Sequence, residues 1–150
     1  MEFNLYKTYL SFIKKSVDSR MFQSVYFSNK RQILDIAQEG QLSCAVYVSS
    51  VLRIFGLIQK GHATVEGTMK DMKKSGWYEI PKPKKGAVLV WEAKKFKGGM
   101  HRHNGFYMGR GKAISNSATK RSPQVHHWTY NNTRKVEKIF WHRKLGQNKL

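Results

Sequence analysis

The sequence has few cysteines, few prolines and no long apolar run. It contains one cysteine and three prolines in 150 residues. A single cysteine cannot form an intramolecular disulfide, which excludes a small scaffold held together by disulfides. The first residues lack a continuous apolar segment of the signal-peptide type, and no apolar stretch is long enough to cross a bilayer. By default, these absences predict a cytoplasmic protein without a membrane span.

Acidic residues are also scarce. There are 9 Asp and Glu against 28 Lys and Arg, which gives a formal net charge of +19. Residues 76–150 contribute +14 of this charge and residues 1–75 contribute +5. A field of this sign attracts nucleic acid, an anionic membrane surface or the acidic polymers of a bacterial cell wall. The charge therefore predicts an anionic partner and leaves its chemistry open.

The first half of the chain has helical periodicity. Apolar residues at three-and-four spacing predict an amphipathic helix over Phe3–Val17, an almost wholly apolar helix from Ser43 to about Ile58, and a third helix over Thr64–Lys74. Ser43 is the expected N-cap of the apolar helix, with its hydroxyl accepting from a first-turn amide.

The second half has short apolar runs typical of strands, beginning after the proline-containing segment 81–86. The predicted strands are Ala87–Trp91, the two arms of a hairpin over His103–Asn116, Val125–Tyr130 and Val136–His142. Helices followed by an antiparallel meander predict an α+β fold. We expect a single domain over residues 1–150, helical to about residue 76 and a sheet from about 77 to 145.

Cys44 is placed in the first turn of the apolar helix. Free amide N–H groups and the positive end of the helix dipole stabilise a thiolate there, so Cys44 is a candidate nucleophile. A free cysteine is also commonly a small buried hydrophobe, so the assignment needs a proton acceptor. His103, at the start of a predicted strand, is the candidate acceptor. A cysteine on a helix followed by a histidine on a later strand is the order found in papain-like folds.

Three blocks resemble the NlpC-like cell-wall cysteine peptidases and the related CHAP amidases of the papain-like superfamily. LSCAVYVSSVL at residues 42–52 is similar to the nucleophile helix, Lys85–Trp91 to the first strand, and His103–Gly109 to the histidine strand. In the last block, Gly105 is expected to let neighbouring backbone approach closely. The resemblance implies a thiol hydrolase that cleaves amide or peptide bonds of peptidoglycan through a Cys44 acyl-enzyme, without a cofactor.

The resemblance also implies a third polar residue that orients the imidazole, twelve positions after the histidine. Ser115 occupies that position, whereas neighbouring Asn116 offers the carbonyl acceptor that papain-like enzymes use, and a bulge in the hairpin would turn Asn116 inward. The predicted catalytic set is Cys44, His103 and Asn116, with Ser115, His126 and His127 as alternatives for the third member. Because successive strand residues point to opposite faces, at most one of the two adjacent histidines is expected to face the site.

Three features depart from the family pattern, one of which is Gly86-Ala87 in place of the Gly-Asp pair of the first strand. The nucleophile motif is Ser43-Cys44-Ala45-Val46 instead of Asp-Cys-Ser-Gly, and no tyrosine counterpart precedes it, so substrate specificity does not carry over. The sequence also lacks an export signal, so access to a cell wall would need release by lysis or a non-standard export route.

Two other interpretations use the same residues. A zinc site could combine His101 and His103 with Cys44 and one of the adjacent histidines, but the spacing matches no strong metal signature, and no metal is expected. The alternative function is nucleic-acid or polyanion binding on a catalytically inactive papain-like fold. It rests on the basic second half and its interleaved aromatic residues: Trp91, Phe96, Trp128, Tyr130 and Trp141.

Overall fold

The computed structural model of the chain describes residues 1–147. Its helices are α1 (Leu5–Lys15), α2 (Cys44–Ile54) and α3 (Val65–Lys74), followed near the end by a short 3-10 helix, Arg143–Gly146. Its strands are β1 (Tyr26–Ser28), β2 (Ile33–Asp35), β3 (Tyr78–Glu79), β4 (Val88–Phe96), β5 (Gly99–Gly109), β6 (Lys112–Ser117), β7 (Ser122–His127) and β8 (Val136–Trp141). Helices packed on a mainly C-terminal antiparallel sheet confirm the α+β prediction.

The six-stranded sheet has the order β3-β8-β4-β5-β6-β7, with every pair antiparallel. Strands β4 to β7 form the predicted meander, but β8 returns to pair with β4 instead of β7. Val88–Trp91 of β4 is fully buried, and buried backbone needs hydrogen-bond partners on both edges. Strand β8 supplies hydrogen-bond partners along the edge of β4 that β5 does not occupy. The sequence pattern does not reveal this pairing.

A separate hairpin of β1 and β2 lies within the part of the chain that was expected to be helical. Each strand has only three residues, and both are largely exposed. Segments of three residues are too short to show a period of two clearly, so sequence periodicity could not identify them.

Helix α2 lies at the centre of the core, as its apolar composition predicts. Phe106 of β5 packs edge-on against Tyr9 of α1 and Tyr47 of α2, with ring centroids 5.9 Å and 5.5 Å apart. Such pairs contribute about 0.5–1.5 kcal/mol each beyond their buried area. They fix α2 against β5, the strand that carries His103.

The start of α2 differs from the prediction in one respect. Ser43 is the N-cap residue, but its side chain makes no capping hydrogen bond, and its Oγ is buried without a partner among residues 1–147. Its backbone angles, φ −103° and ψ 10°, lie outside the extended range that directs a capping oxygen at the first turn. The prediction of a Ser43 side-chain cap is therefore wrong, and that side chain leaves the first-turn N–H groups unoccupied.

Asp71 of α3 holds the connection between α2 and α3. Its carboxylate accepts hydrogen bonds from the backbone N–H groups of Gln59 and Lys60 and lies 2.7 Å from Nε2 of His62. Burial acts to raise the pKa of Asp71, but these hydrogen bonds outweigh it and lower the pKa to about 2. The anchored connection leads into residues 63–65, which form one wall of the cleft described next.

Candidate active site

The alternation of β5 separates two sets of side chains. Phe106 points to the helices, so His103 and Gly105 lie on the opposite face of the sheet. On that face the indole of Trp91 packs against the imidazole of His103, with ring centroids 5.2 Å apart. The imidazole of His103 therefore packs against the buried indole of Trp91 on the neighbouring strand β4.

Ser115 of β6 is the hydrogen-bond partner of His103. Its Oγ lies 2.9 Å from Nε2 of the imidazole. The approach depends on Gly105, because a Cβ there would lie 2.6 Å from Cβ of Ser115 and 2.7 Å from the carbonyl oxygen of Ile114. These distances agree with the prediction that this glycine permits close backbone approach.

A second imidazole lies behind Ser115. Nε2 of His126 is 2.7 Å from the serine Oγ, and Nδ1 of His126 donates to the backbone carbonyl of His127 at 2.8 Å. The hydroxyl of Tyr130 also contacts Ser115 Oγ, at 3.1 Å, and the tyrosine ring stacks on His126 with centroids 4.1 Å apart. Of the two adjacent histidines, only His126 belongs to this network, as the alternation of strand side chains predicts.

The network selects one set of proton positions. Because Nδ1 of His126 donates to a carbonyl, the neutral ring can only accept at Nε2, so the Ser115 hydroxyl proton points to it. The serine oxygen must then accept from Nε2–H of His103. Neutral His103 therefore carries its proton on Nε2, and its Nδ1 is unprotonated.

Asn116, the predicted third member, is not brought to His103. Its Nδ2 donates to the carbonyl oxygen of Gly40 at 2.8 Å, and its Oδ1 is buried without a partner in the described chain. The hairpin does contain a register shift, between Tyr107 and Gly109, but Ser115 remains against Gly105. Asn116 is consequently on the face opposite Ser115, since adjacent strand residues alternate.

His127, another alternative, also lies outside the network around His103. Its Nδ1 accepts a hydrogen bond from the backbone N–H of Thr129 at 3.2 Å and lies 2.9 Å from the Thr129 hydroxyl. These contacts stabilise the turn after β7.

Cys44 and His103 line the same cleft, which has a volume of about 610 Å³. Its lining combines apolar residues, among them Ile36, Leu42, Ala63 and Val65, with the basic residues Lys94, Lys95, Arg102 and Arg134. The structure thus brings the two principal candidates from the sequence into one solvent-accessible site, and Asn116 also lines it, although its amide binds Gly40 and not His103.

Burial changes the ionisation of both residues. It raises the pKa of the Cys44 thiol, although backbone N–H groups of Asn104 and Ala45 and the charge of Arg134 act to lower it. Burial, together with the charge of Arg134 and the neighbouring His126, lowers the pKa of His103 to about 3. The expectation that the helix N-terminus holds a thiolate is not met, because desolvation outweighs it. At neutral pH the site contains a thiol and a neutral imidazole.

Sequence reasoning missed Arg134, which lies between β7 and β8. Its Nε and Nη2 donate to the backbone carbonyls of Glu92 and His101, both at 3.0 Å. One arginine among 28 basic residues, outside any regular element, gave no signal in the sequence. Tyr130 was assigned only to the aromatic set and not to the site.

A family model described as bacteriophage peptidoglycan hydrolase, Amidase_5, matches residues 18–149. The chain belongs to this family. The matched region contains α2 and the six-stranded sheet, and therefore the whole cleft. Membership confirms the predicted hydrolase class and peptidoglycan as its substrate. It does not test the narrower resemblance to the NlpC-like and CHAP families. No curated protein matches the chain.

The aromatic residues cited for nucleic-acid binding are mostly unavailable to bases in this peptidoglycan hydrolase. Trp91 and Trp141 are buried, and Nε1 of Trp91 donates to the backbone carbonyl of Trp128. Tyr130 belongs to the network around Ser115. Only Phe96 among the five is an exposed large apolar side chain.

The zinc alternative lacks a suitable arrangement of ligands. Among residues 1–147, no three His, Cys, Asp or Glu side chains converge so that they could hold a metal ion. The ring of His101 packs edge-on against Phe96 instead. In the same described part of the chain, no helix is both long and apolar enough to cross a membrane.

Proposed function

We propose that this phage-type hydrolase is a papain-like thiol amidase, which cleaves an amide or peptide bond of peptidoglycan through a Cys44 acyl-enzyme. The observation that carries the proposal is the tautomer of His103. Its Nε2–H is engaged by Ser115, so Nδ1 is the unprotonated nitrogen, and His103 lines the same cleft as Cys44. A thiol nucleophile needs a base of this kind.

The reaction starts from a neutral thiol and a neutral imidazole. Nδ1 of His103 takes the Sγ proton as sulfur attacks the carbonyl carbon, and the resulting oxyanion is stabilised by the backbone N–H of Cys44 at the uncapped start of α2. The C–N bond breaks when the imidazolium returns its proton to the amine. Water, deprotonated by His103, then hydrolyses the thioester to a carboxylate and the free thiol.

Ser115 is a positioning residue in this mechanism. Its oxygen holds Nε2–H of His103, and its own proton is held by His126. The oxygen also becomes a closer acceptor when His103 is transiently positive, because hydrogen bonds to a charged partner are stronger.

The basic surface has a supporting role in the same proposal. The net charge of +19 holds the enzyme near anionic polymers of the wall through long-range attraction that salt screens. Release by lysis brings the chain to the wall.

The test compares the wild type with Cys44→Ala on purified peptidoglycan. We expect the wild type to release new amino groups without new reducing sugar ends, and the variant to release neither, with an unchanged circular dichroism spectrum. Ser43→Ala is the matched control, because it alters a neighbouring buried side chain and keeps the thiol. Equal release by wild type and Cys44→Ala, or release of reducing ends alone, would contradict the proposal. Absence of any hydrolysis by the wild type would favour an inactive binding module.

A further inference from the structure

We propose that Arg134 forms a carboxylate-binding subsite beside Cys44, so that the cleft takes a peptide with a free carboxylate close to the bond that is cleaved. The use of this subsite in substrate selection rests on the proposed function. The binding of a small carboxylate next to the Cys44 sulfur does not depend on the proposed function, and it can be measured separately.

The guanidinium of Arg134 is fixed in place. Two of its N–H groups are held by the carbonyl oxygens of Glu92 and His101, each at 3.0 Å. Arginine carries five donors in a rigid fork, so three remain for another partner. Both anchoring acceptors are backbone atoms, which leaves the position of the charge independent of any flexible side chain.

This charge makes no ion pair within the part of the chain that the structure describes. None of the carboxylates in residues 1–147 lies within ion-pair distance of Arg134. The nearby carboxylate of Glu92 instead accepts the backbone N–H of Lys135, at 3.1 Å. The arginine is only partly exposed, and a partly desolvated cation without a counterion is costly unless an anion joins it.

The remaining charges of the cleft direct an anion to Arg134. Arg102 is neutralised by Glu66 at 3.2 Å and by Glu137 at 3.1 Å. The ammonium of Lys94 donates to the backbone carbonyl of Thr133, next to Arg134, so it adds positive charge at the same end. Of the two arginines that line the cleft, Arg134 is therefore the one without a carboxylate partner among residues 1–147.

The subsite is close to the reacting groups. Arg134, Cys44 and His103 line the same cleft, and the charge of the guanidinium acts on the ionisation of both other side chains. The cleft lining also contains the apolar residues Ile36, Leu42 and Val65. This combination fits a peptide segment that carries both a carboxylate and small aliphatic groups.

The test uses the single cysteine as a reporter. Iodoacetate and iodoacetamide alkylate the same sulfur, but only iodoacetate carries a carboxylate. We measure both rates for the wild type, Arg134→Gln, Arg134→Lys and free cysteine at about 0.15 M salt. The wild-type ratio of iodoacetate to iodoacetamide rates is expected to exceed that of free cysteine roughly tenfold to a hundredfold, the usual range for a charge-assisted hydrogen bond.

In Arg134→Gln the ratio should fall to that of free cysteine, and Arg134→Lys should keep part of the preference, because it retains the charge without the fixed fork. Arg143→Gln, an exposed site outside the cleft, removes the same charge and should keep the full preference. A wild-type ratio equal to that of free cysteine overturns the subsite, whether or not the variants fold.

Two further outcomes also overturn the subsite. If Arg134→Gln slows both reagents equally, the arginine acts on the thiolate and not on a carboxylate. If Arg143→Gln lowers the ratio as much as Arg134→Gln, the effect comes from net charge. The alkylation ratio does not depend on hydrolysis. A preference for iodoacetate in a protein that cleaves no peptidoglycan would therefore support the subsite and reject the proposed function. Hydrolysis of peptidoglycan without a preference for iodoacetate would reject the subsite and support the proposed function.

Discussion

The hydroxyl oxygen of Ser115 lies 2.9 Å from Nε2 of His103. A hydroxyl has one proton and can orient a histidine N–H as an acceptor only if that proton is directed elsewhere. Nε2 of His126, 2.7 Å away on the other side, accepts it. The two imidazoles and the serine between them therefore act as one unit, in which an alcohol replaces the carbonyl acceptor expected from Asn116.

Ser115→Ala removes the acceptor for Nε2–H of His103. The net value of such a hydrogen bond is about 0.5–1.5 kcal/mol, which corresponds to a roughly two- to tenfold lower kcat. KM should not change, because the hydroxyl is buried and does not reach substrate. Steady-state rates on a soluble muropeptide would measure both constants. Ser117→Ala on the same strand is the control, and an equal loss in that variant would show that the effect is a general weakening of β6.

His126→Phe keeps a ring against Tyr130 but removes the acceptor for the Ser115 proton. That proton can then turn to Nε2 of His103 and move the histidine proton to Nδ1, the atom needed as a base. Nitrogen NMR of the imidazoles should show an unprotonated Nδ1 on His103 in the wild type and a mixture of tautomers in the variant, together with a lower kcat. An unprotonated Nε2 on wild-type His103 would contradict the proton positions derived from the network.

The pH dependence follows from the low pKa of His103. A pKa of about 3 keeps the imidazole unprotonated, and therefore able to accept a proton, throughout the range from pH 7 to pH 5. We expect kcat/KM to be nearly constant over that range, measured at fixed ionic strength. A histidine with the ordinary pKa of about 6.5 would instead lose activity roughly thirtyfold by pH 5. In Arg134→Gln, the fall of kcat/KM at low pH should begin at a higher pH, because one positive charge that disfavours the His103 imidazolium is removed.

Gly105→Ala tests the close contact between β5 and β6. The new methyl would lie 2.6 Å from Cβ of Ser115 and 2.7 Å from a backbone oxygen, so the strands must separate. Overpacking of this kind costs about 1–3 kcal/mol and should lower both Tm and kcat. Gly98→Ala provides a control for the loss of a glycine, since a Cβ there meets nothing within 4 Å, although its positive φ adds some strain. Wild-type stability and activity in Gly105→Ala would show that the contact is dispensable.

Local patterns in the sequence predicted the elements that carry the site. Helical periodicity placed Cys44 in the first turn of a central helix, and the strand pattern placed His103 on β5. The choice between Ser115 and Asn116 depends on strand register, because a shift of one residue exchanges the two faces. The sequence contains no direct measure of that register, and the residue that binds the His103 imidazole in the structure is Ser115.

Other features depend on contacts between distant segments. The pairing of β8 with β4 joins residues about 50 positions apart and follows from the needs of a buried central strand. Arg134 reaches the cleft only because two carbonyls on β4 and β5 hold it there. The resting ionisation of Cys44 was also missed, since the helix N-terminus is visible in the sequence but the extent of desolvation is not.

The most direct test of the thiol mechanism is to trap the acyl-enzyme. Wild-type protein is mixed with a soluble muropeptide, quenched in acid within the first turnover and digested. The mass of the peptide that contains Cys44 is then measured by mass spectrometry. The mechanism predicts an added mass equal to the acyl part of the substrate, carried on Cys44, absent in Cys44→Ala and removed by hydroxylamine. Full hydrolysis with no adduct at any time, together with hydrolysis by Cys44→Ala, would contradict it.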